Sequence, residues 1–145
     1  MLSARISNES GDESAELADE IERQLLRSLR QHNIQSRNEA IVLKATSKDG
    51  QLLGGVTAST SYGWLLLKVL WVDEKARGSG LGSELLNAAE TEGRRLDCHG
   101  AWLDTSNPQA YEFYLNRGYE TFGTLENKAS QHPANHCRWF MKKEL

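Results

Sequence analysis

The chain has 145 residues, of which 39% are hydrophobic and 26% charged; this is the balance of a single soluble globular domain with room for a core, and it excludes a disordered chain. A formal charge of −3 argues against a general nucleic-acid binder, which calls for a basic excess. No apolar run approaches membrane-spanning length, MLSARISNES at the N-terminus has no signal-peptide core, and Cys98 and Cys137 form neither a metal-type cluster nor a disulfide framework, so the expectation is a reduced, cytoplasmic protein without a metal.

In chain order, Leu2–Ile6 reads as a first edge strand, and the polar Ser10–Glu13 stretch as a turn able to cap a helix. From Ser14 the residues Leu17, Ile21, Leu25, Leu26 and Leu29 recur at threes and fours, which predicts an amphipathic helix. Its acidic start and basic end suit the helix dipole, so the charges belong to a solvated face. Ala40–Thr46 and Gln51–Thr60 read as two strands joined by an Asp49-Gly50 turn. Gly54-Gly55 inside the second of them signals a bulge or a close backbone approach. A further turn at Ser61–Gly63 leads to Trp64–Val72, whose apolar run LLLKVLWV (65–72) is broken only by Lys68; this is the pattern of a largely buried strand.

Asp73–Ala76 is a polar turn, followed by Arg77-Gly78-Ser79-Gly80-Leu81-Gly82-Ser83. From Leu81 the period changes, with Leu81, Leu85, Leu86, Ala89 and Leu96 on one helical face. A strand therefore ends in a glycine-dense loop on which a helix starts. The first turn of a helix leaves N–H groups unpaired and carries partial positive charge, glycines admit close approach, and Arg77 adds a forked cation. Those features together make an anion site suited to phosphate or pyrophosphate. The loop lacks the Gly-Lys-Ser/Thr of a P-loop, and Ser83 stands where a dinucleotide fingerprint needs its third glycine.

Ala101–Thr105 is the next strand, parallel to Trp64–Val72 because a helix joins them. Asn107-Pro108 predicts a helix start, with Asn as cap and Pro at the first helical position. Gly118 ends that helix. Tyr119–Leu125 and His136–Lys143 read as closing strands around an exposed loop, 126–135.

The spacing Arg-x-x-Gly-x-Gly (Arg77, Gly80, Gly82) and the stretch NPQAYEFYLNRGY (107–119), with Phe113-Tyr114 followed by Gly118-Tyr119, resemble the two signatures of the Gcn5-related N-acetyltransferase (GNAT) superfamily. The resemblance covers roughly Ala40 to the C-terminus. It implies a single α+β domain over residues 1–145, built on a mixed, mostly antiparallel sheet of six to seven strands with a splayed parallel pair and about four helices. It implies acetyl transfer from acetyl-CoA to a primary amine by direct attack in a ternary complex, with no metal, nucleic acid or membrane involved. A small-molecule or peptide acceptor and a homodimer stay open.

What the resemblance implies for residues is specific. Backbone amides of Gly78, Gly80 and Gly82, with Arg77 and Ser83 nearby, would hold the pyrophosphate, and Ser79 and Leu81 belong to the same cofactor-binding set. Leu70 and Val72 would pair with the pantetheine arm, Leu70 N–H would polarise the thioester carbonyl, and Asn107 would contact the cofactor near its pantetheine end. Tyr114, also within reach of the cofactor, would assist the departing thiolate, with Tyr111 as the fallback. Leu66 occupies the place where some of these enzymes carry a glutamate base, which leaves Asp104 or a water chain. His32, His99, His132 and His136 are scattered, and Glu39 and Tyr62 could face the acceptor. The missing base motivates an alternative, a non-catalytic acyl-CoA sensor on the same fold. The glycine loop alone would fit a nucleotide-phosphate module.

Overall fold

Helix α1 spans Ser14–His32, where Leu17, Ile21, Leu25 and Leu26 make one stripe and Arg23 pairs with Glu20 at 2.6 Å on the polar side. The computed structural model describes residues Leu2–Leu145, which divide into two compact units, the first ending at Gln35 and the second running from Ser36 to Leu145. In the first unit α1 is the regular element. Leu2–Ile6 forms no strand; five residues with no partner have nowhere to place their backbone hydrogen bonds. Nor does a side chain from the Ser10–Glu13 stretch cap the helix: Glu13 is at the N-cap without a side-chain bond, and Ser14 Oγ donates to Gly11 O at 2.7 Å instead.

The second unit is one six-stranded sheet in the order β1-β2-β3-β4-β6-β5. Strands β1 (Ala40–Thr46), β2 (Leu52–Ser61) and β3 (Trp64–Val72) form an antiparallel meander. Its second turn has positive φ at both Tyr62 (51°) and Gly63 (79°), the geometry that joins two twisted strands in the shortest way. Helix α2 (Leu81–Arg95) then crosses back to β4 (Gly100–Thr105), and α3 (Pro108–Leu115) leads to β5 (Glu120–Glu126) and β6 (Cys137–Glu144). Pairing is antiparallel throughout except between β3 and β4, which run parallel. The described residues thus carry six strands and three α-helices, with a 3-10 turn at Glu74–Ala76.

The core lies where α2 covers one sheet face. Leu86 and Ala89 are fully enclosed against Leu65, Ala101 and Met141, which have no exposed surface either. The Gly54-Gly55 pair marks a close approach: a Cβ on Gly54 would sit 2.8 Å from Trp71 O and 3.1 Å from Leu85 Cδ1. It also adjoins a register shift, since Ala45 pairs with Gly54 and Thr46 with Leu52, which leaves Leu53 as the extra residue; further shifts fall at Thr57/Ala58 against β3 and at Thr121/Gly123 against β6.

Two buried polar groups tie the sheet to its surroundings. Thr60, 3% exposed, donates its hydroxyl to Arg37 O at 2.7 Å and accepts from Glu39 N at 2.9 Å. Thr60→Val keeps the shape and strands both backbone groups, so chemical denaturation should show a loss of about 1–2 kcal/mol. Glu90 on α2 is enclosed (2% exposed), with Lys143 Nζ at 2.9 Å and the Tyr119 hydroxyl at 3.3 Å. Both the burial of Tyr119 and the charge of Glu90 push that phenol's pKa up.

Candidate active site

The site follows from where two parallel strands part. β3 and β4 pair only at Trp64↔Gly100, Leu65↔Ala101 and Leu66↔Trp102, although β3 continues to Val72 and β4 to Thr105. From Leu67 onward the β3 edge facing β4 has no partner strand, so its outward N–H and C=O groups are left for something else. A cavity of about 320 Å³ opens in the gap, lined by Leu67–Leu70, Leu103–Thr105, Asn107, Ala110 and Tyr114. It continues into a second cavity of about 370 Å³, which shares Leu70, Asn107, Ala110 and Tyr114 and extends to Val72, Arg77, Gly82 and Phe113.

The glycine loop sits at the far end of this groove. Gly78 and Gly80 have φ of 76° and 86°, values that a Cβ disfavours, and no atom lies within 4 Å of where either Cβ would be. Gly80 is also the N-cap of α2, so the loop presents the first-turn amides to open space. Arg77 donates from Nε to Val72 O at 3.2 Å and makes no ion pair among the described residues. That bond fixes the guanidinium beside the strand end and commits the Val72 carbonyl. Ser79 Oγ is turned back to Ala76 O, closing the loop rather than lining it.

Arg117 lies just beyond the C-terminal end of α3. It donates from Nε to Ser83 Oγ at 2.8 Å, with Nη2 on the same oxygen, and lies 4.5 Å from the Phe113 ring centre. A second cation therefore stands at the α2 N-terminus and occupies the Ser83 hydroxyl. The contact joins positions 34 residues apart, which no local pattern encodes.

Helix α3 supplies the other wall. Asn107 caps it by accepting from Gln109 N at 2.9 Å. Tyr114, 8% exposed, lines both cavities. Its hydroxyl has no hydrogen-bond partner among the described residues, and no buried side-chain nitrogen or oxygen is left unpaired there, so that hydroxyl opens into the groove. Burial pushes its pKa up to about 12. Tyr111 points away, bonded to Thr121 Oγ1 at 3.0 Å and stacked on Trp139 at 4.5 Å.

The folded state keeps the Tyr114 proton where the unfolded chain, with its pKa near ~10, releases it, so stability is full below about pH 10 and falls as pH rises toward 12. Absorbance at 295 nm should show Tyr114 ionising only with unfolding, and Tyr114→Phe should move the alkaline unfolding midpoint to higher pH.

The remaining candidates separate cleanly. Asp104 lines the groove but is held by Arg138, with oxygen–nitrogen contacts of 2.5 and 2.7 Å. Leu66 is the last residue paired with β4. Glu39 pairs with Arg37 at 3.3 Å. Tyr62 lines a different cavity with Trp64, Trp102, Phe122 and Lys142. None of the four histidines lines the groove; His99 meets the edge of Trp64 and His136 meets Ser106. No group of three or more His, Cys, Asp or Glu side chains suited to a metal occurs among the described residues, and no helix there is long and apolar enough to cross a membrane.

Comparison with known proteins gives a consistent result. An acetyltransferase of Agrobacterium fabrum is 40% identical over 77 residues, a match that spans 53% of this chain and only 56% of that protein. The blasticidin-S acetyltransferase of Streptomyces morookaense is 37% identical over 103 residues, covering 69% of this chain and 76% of that one. Among solved structures, a putative acetyltransferase from Agrobacterium tumefaciens superposes with a TM-score of 0.83 at 28% identity, covering 99% of this chain and 100% of the other. The fold is also that of a putative streptothricin acetyltransferase from Bacillus anthracis in complex with acetyl coenzyme A, with a TM-score of 0.65, 18% identity and coverage of 81% and 71%. The model of the acetyltransferase (GNAT) family matches residues 7–119. With that match over most of its length, the chain belongs to the GNAT acetyltransferase family.

Proposed function

We propose that this protein transfers an acetyl group from acetyl-CoA to a primary amine, the amine attacking directly while both substrates are bound, with the whole chain serving that one activity. The observation that carries the reading is the unpartnered β3 edge, which runs from the Arg77–Gly82 loop past Tyr114. An extended pantetheine chain has the amides to pair with such an edge as an added strand would. The residues fit the cofactor at its other end as well: an unpaired guanidinium and open αL glycines at a helix start suit a diphosphate.

Acetyl-CoA supplies an activated acyl carbon on a thiol leaving group. The chain's own residues have three tasks. Arg77 and the amides of Gly78, Gly80 and Gly82, flanked by Ser79, Leu81 and Ser83, hold the anionic end. The backbone of Leu70 and Val72, with Asn107, aligns the arm, and the Leu70 N–H stabilises negative charge that develops on the carbonyl oxygen. Tyr114 donates a hydrogen bond to the departing sulfur. The blasticidin-S acetyltransferase among the relatives makes a small-molecule amine a sensible first acceptor class.

One observation favours a second reading, a non-catalytic acyl-CoA sensor: Leu66 offers no carboxylate and Asp104 is tied to Arg138. Free-thiol release from acetyl-CoA across a panel of amines, together with the acetyl-CoA-induced rise in melting temperature, separates the two. Turnover supports the enzyme; a melting shift without turnover supports the sensor; neither effect at millimolar acetyl-CoA overturns both.

A further inference from the structure

The two ends of the groove differ in chemistry. One carries Arg77 and the glycine loop. At the other, past Leu70 and Tyr114, lie Leu67, Lys68 and Asp104. Lys68 reaches this place through an irregularity in the strand: Thr57 pairs with Val69 and Ala58 with Leu67, so Lys68 is the extra residue and belongs to no ladder pair. A bulge re-aims a side chain in this way.

Lys68 makes no ion pair among the described residues. The one carboxylate lining that end, Asp104, is already neutralised by Arg138, whose nitrogens lie 2.5 and 2.7 Å from it. The end is left with one uncompensated positive charge. Pantetheine is uncharged, so on the acetyl-transfer reading above, on which this step rests, the cofactor has no use for it. What remains beyond the thioester is the acceptor.

We propose that Lys68 binds a carboxylate on the acceptor, which makes the acceptor class amino acids and amino-acid-like amines. A polyamine brings a second cation to the same place and meets repulsion there, while a carboxylate beside the reacting amine is attracted and oriented. Electrostatic complementarity of this kind selects partners and penalises like-charged ones. The bulge supplies the means: an ordinary strand residue would point across the sheet, whereas this one is displaced toward the gap.

The test uses matched probes, lysine against cadaverine and ornithine against putrescine, which differ by one carboxylate. Two readouts are taken: kcat/KM from thiol release, and calorimetric affinity for the protein saturated with CoA, where no transfer can occur. The expected result is a preference of about tenfold or more for the carboxylate-bearing member in both. Lys68→Met should bring the ratio near one and Lys68→Glu should invert it, with acetyl-CoA affinity unchanged in each. A wild-type ratio at or below one, a ratio that Lys68→Glu fails to move, or a CoA complex that binds no carboxylate-bearing probe overturns the proposal. Failure to bind acetyl-CoA at all would instead undo the reading beneath it, and a diamine preference with acetyl-CoA turnover intact would sink only the role of Lys68.

Discussion

Tyr114→Phe is expected to lower kcat about 10²-fold while leaving acetyl-CoA affinity within about twofold of the parent. The ring stays in place against Phe113 and Tyr119, whose centroids lie 5.2 and 5.6 Å away, so packing is kept and one hydroxyl is lost. That hydroxyl is the groove's unengaged phenolic donor. Its pKa of about 12 sets the kind of help it gives. A thiol ionises near ~8.5, so handing the phenol proton fully to a thiolate runs uphill by roughly three pH units or more. In the proposed reaction Tyr114 would therefore act through a hydrogen bond that strengthens as sulfur gains charge. The kcat profile should accordingly show no loss attributable to Tyr114 below about pH 10. A tyrosine-dependent alkaline limb near pH 8, or a Phe variant with full kcat, would remove Tyr114 from the chemistry.

Gly80→Val is expected to abolish the acetyl-CoA-induced rise in melting temperature. Two effects combine. The αL backbone at φ 86° is unfavourable for a β-branched residue, so the loop shifts, at a stability cost of order 1–3 kcal/mol. The new side chain then fills the space in front of the α2 amides, where no protein atom now lies within 4 Å of the Cβ position. Gly80→Asn separates these effects, since asparagine accepts αL at little cost; it should keep the parent melting temperature but lose most of the ligand-induced shift. If both variants respond to acetyl-CoA like the parent, the loop does not bind the diphosphate.

Local rules carried much of the fold. The α1 stripe, the Tyr62-Gly63 turn and the Asn107-Pro108 start of α3 each depend on residues within a few positions, and each forms where its pattern says. Gly118, at φ 90°, ends the α3 segment in the left-handed conformation expected there. The two glycine-linked motifs come together because a crossover of fixed hand has few ways to close. Leu2–Ile6 shows the limit on that side: strand propensity has no meaning without a partner edge.

Within the groove, the unread features are the ones set by distant partners. A bulge is a mismatch of counts between two strands, so nothing in LLLKVLWV marks Lys68 as displaced until β2 is beside it. The resemblance ranks Tyr114 above Tyr111, three residues earlier, yet only β5 and β6 reveal that Tyr111 is spent on Thr121 and Trp139. Arg117 and Arg138 likewise take their places only once Ser83 and Asp104, each 34 residues away, are beside them.

The short β3–β4 ladder has a consequence for how this scaffold can diversify. Where the strands part, one end of the cleft offers the main-chain groups of β3 and the glycine loop, which every amino acid possesses, beside Arg77, while the other carries the side chains of Lys68 and of Asp104 with its partner Arg138. Substitution can rewrite the second without disturbing the first. On the acetyl-transfer reading proposed above, a lineage built on this plan is free to exchange one nucleophile for another across generations while inheriting the donor unchanged.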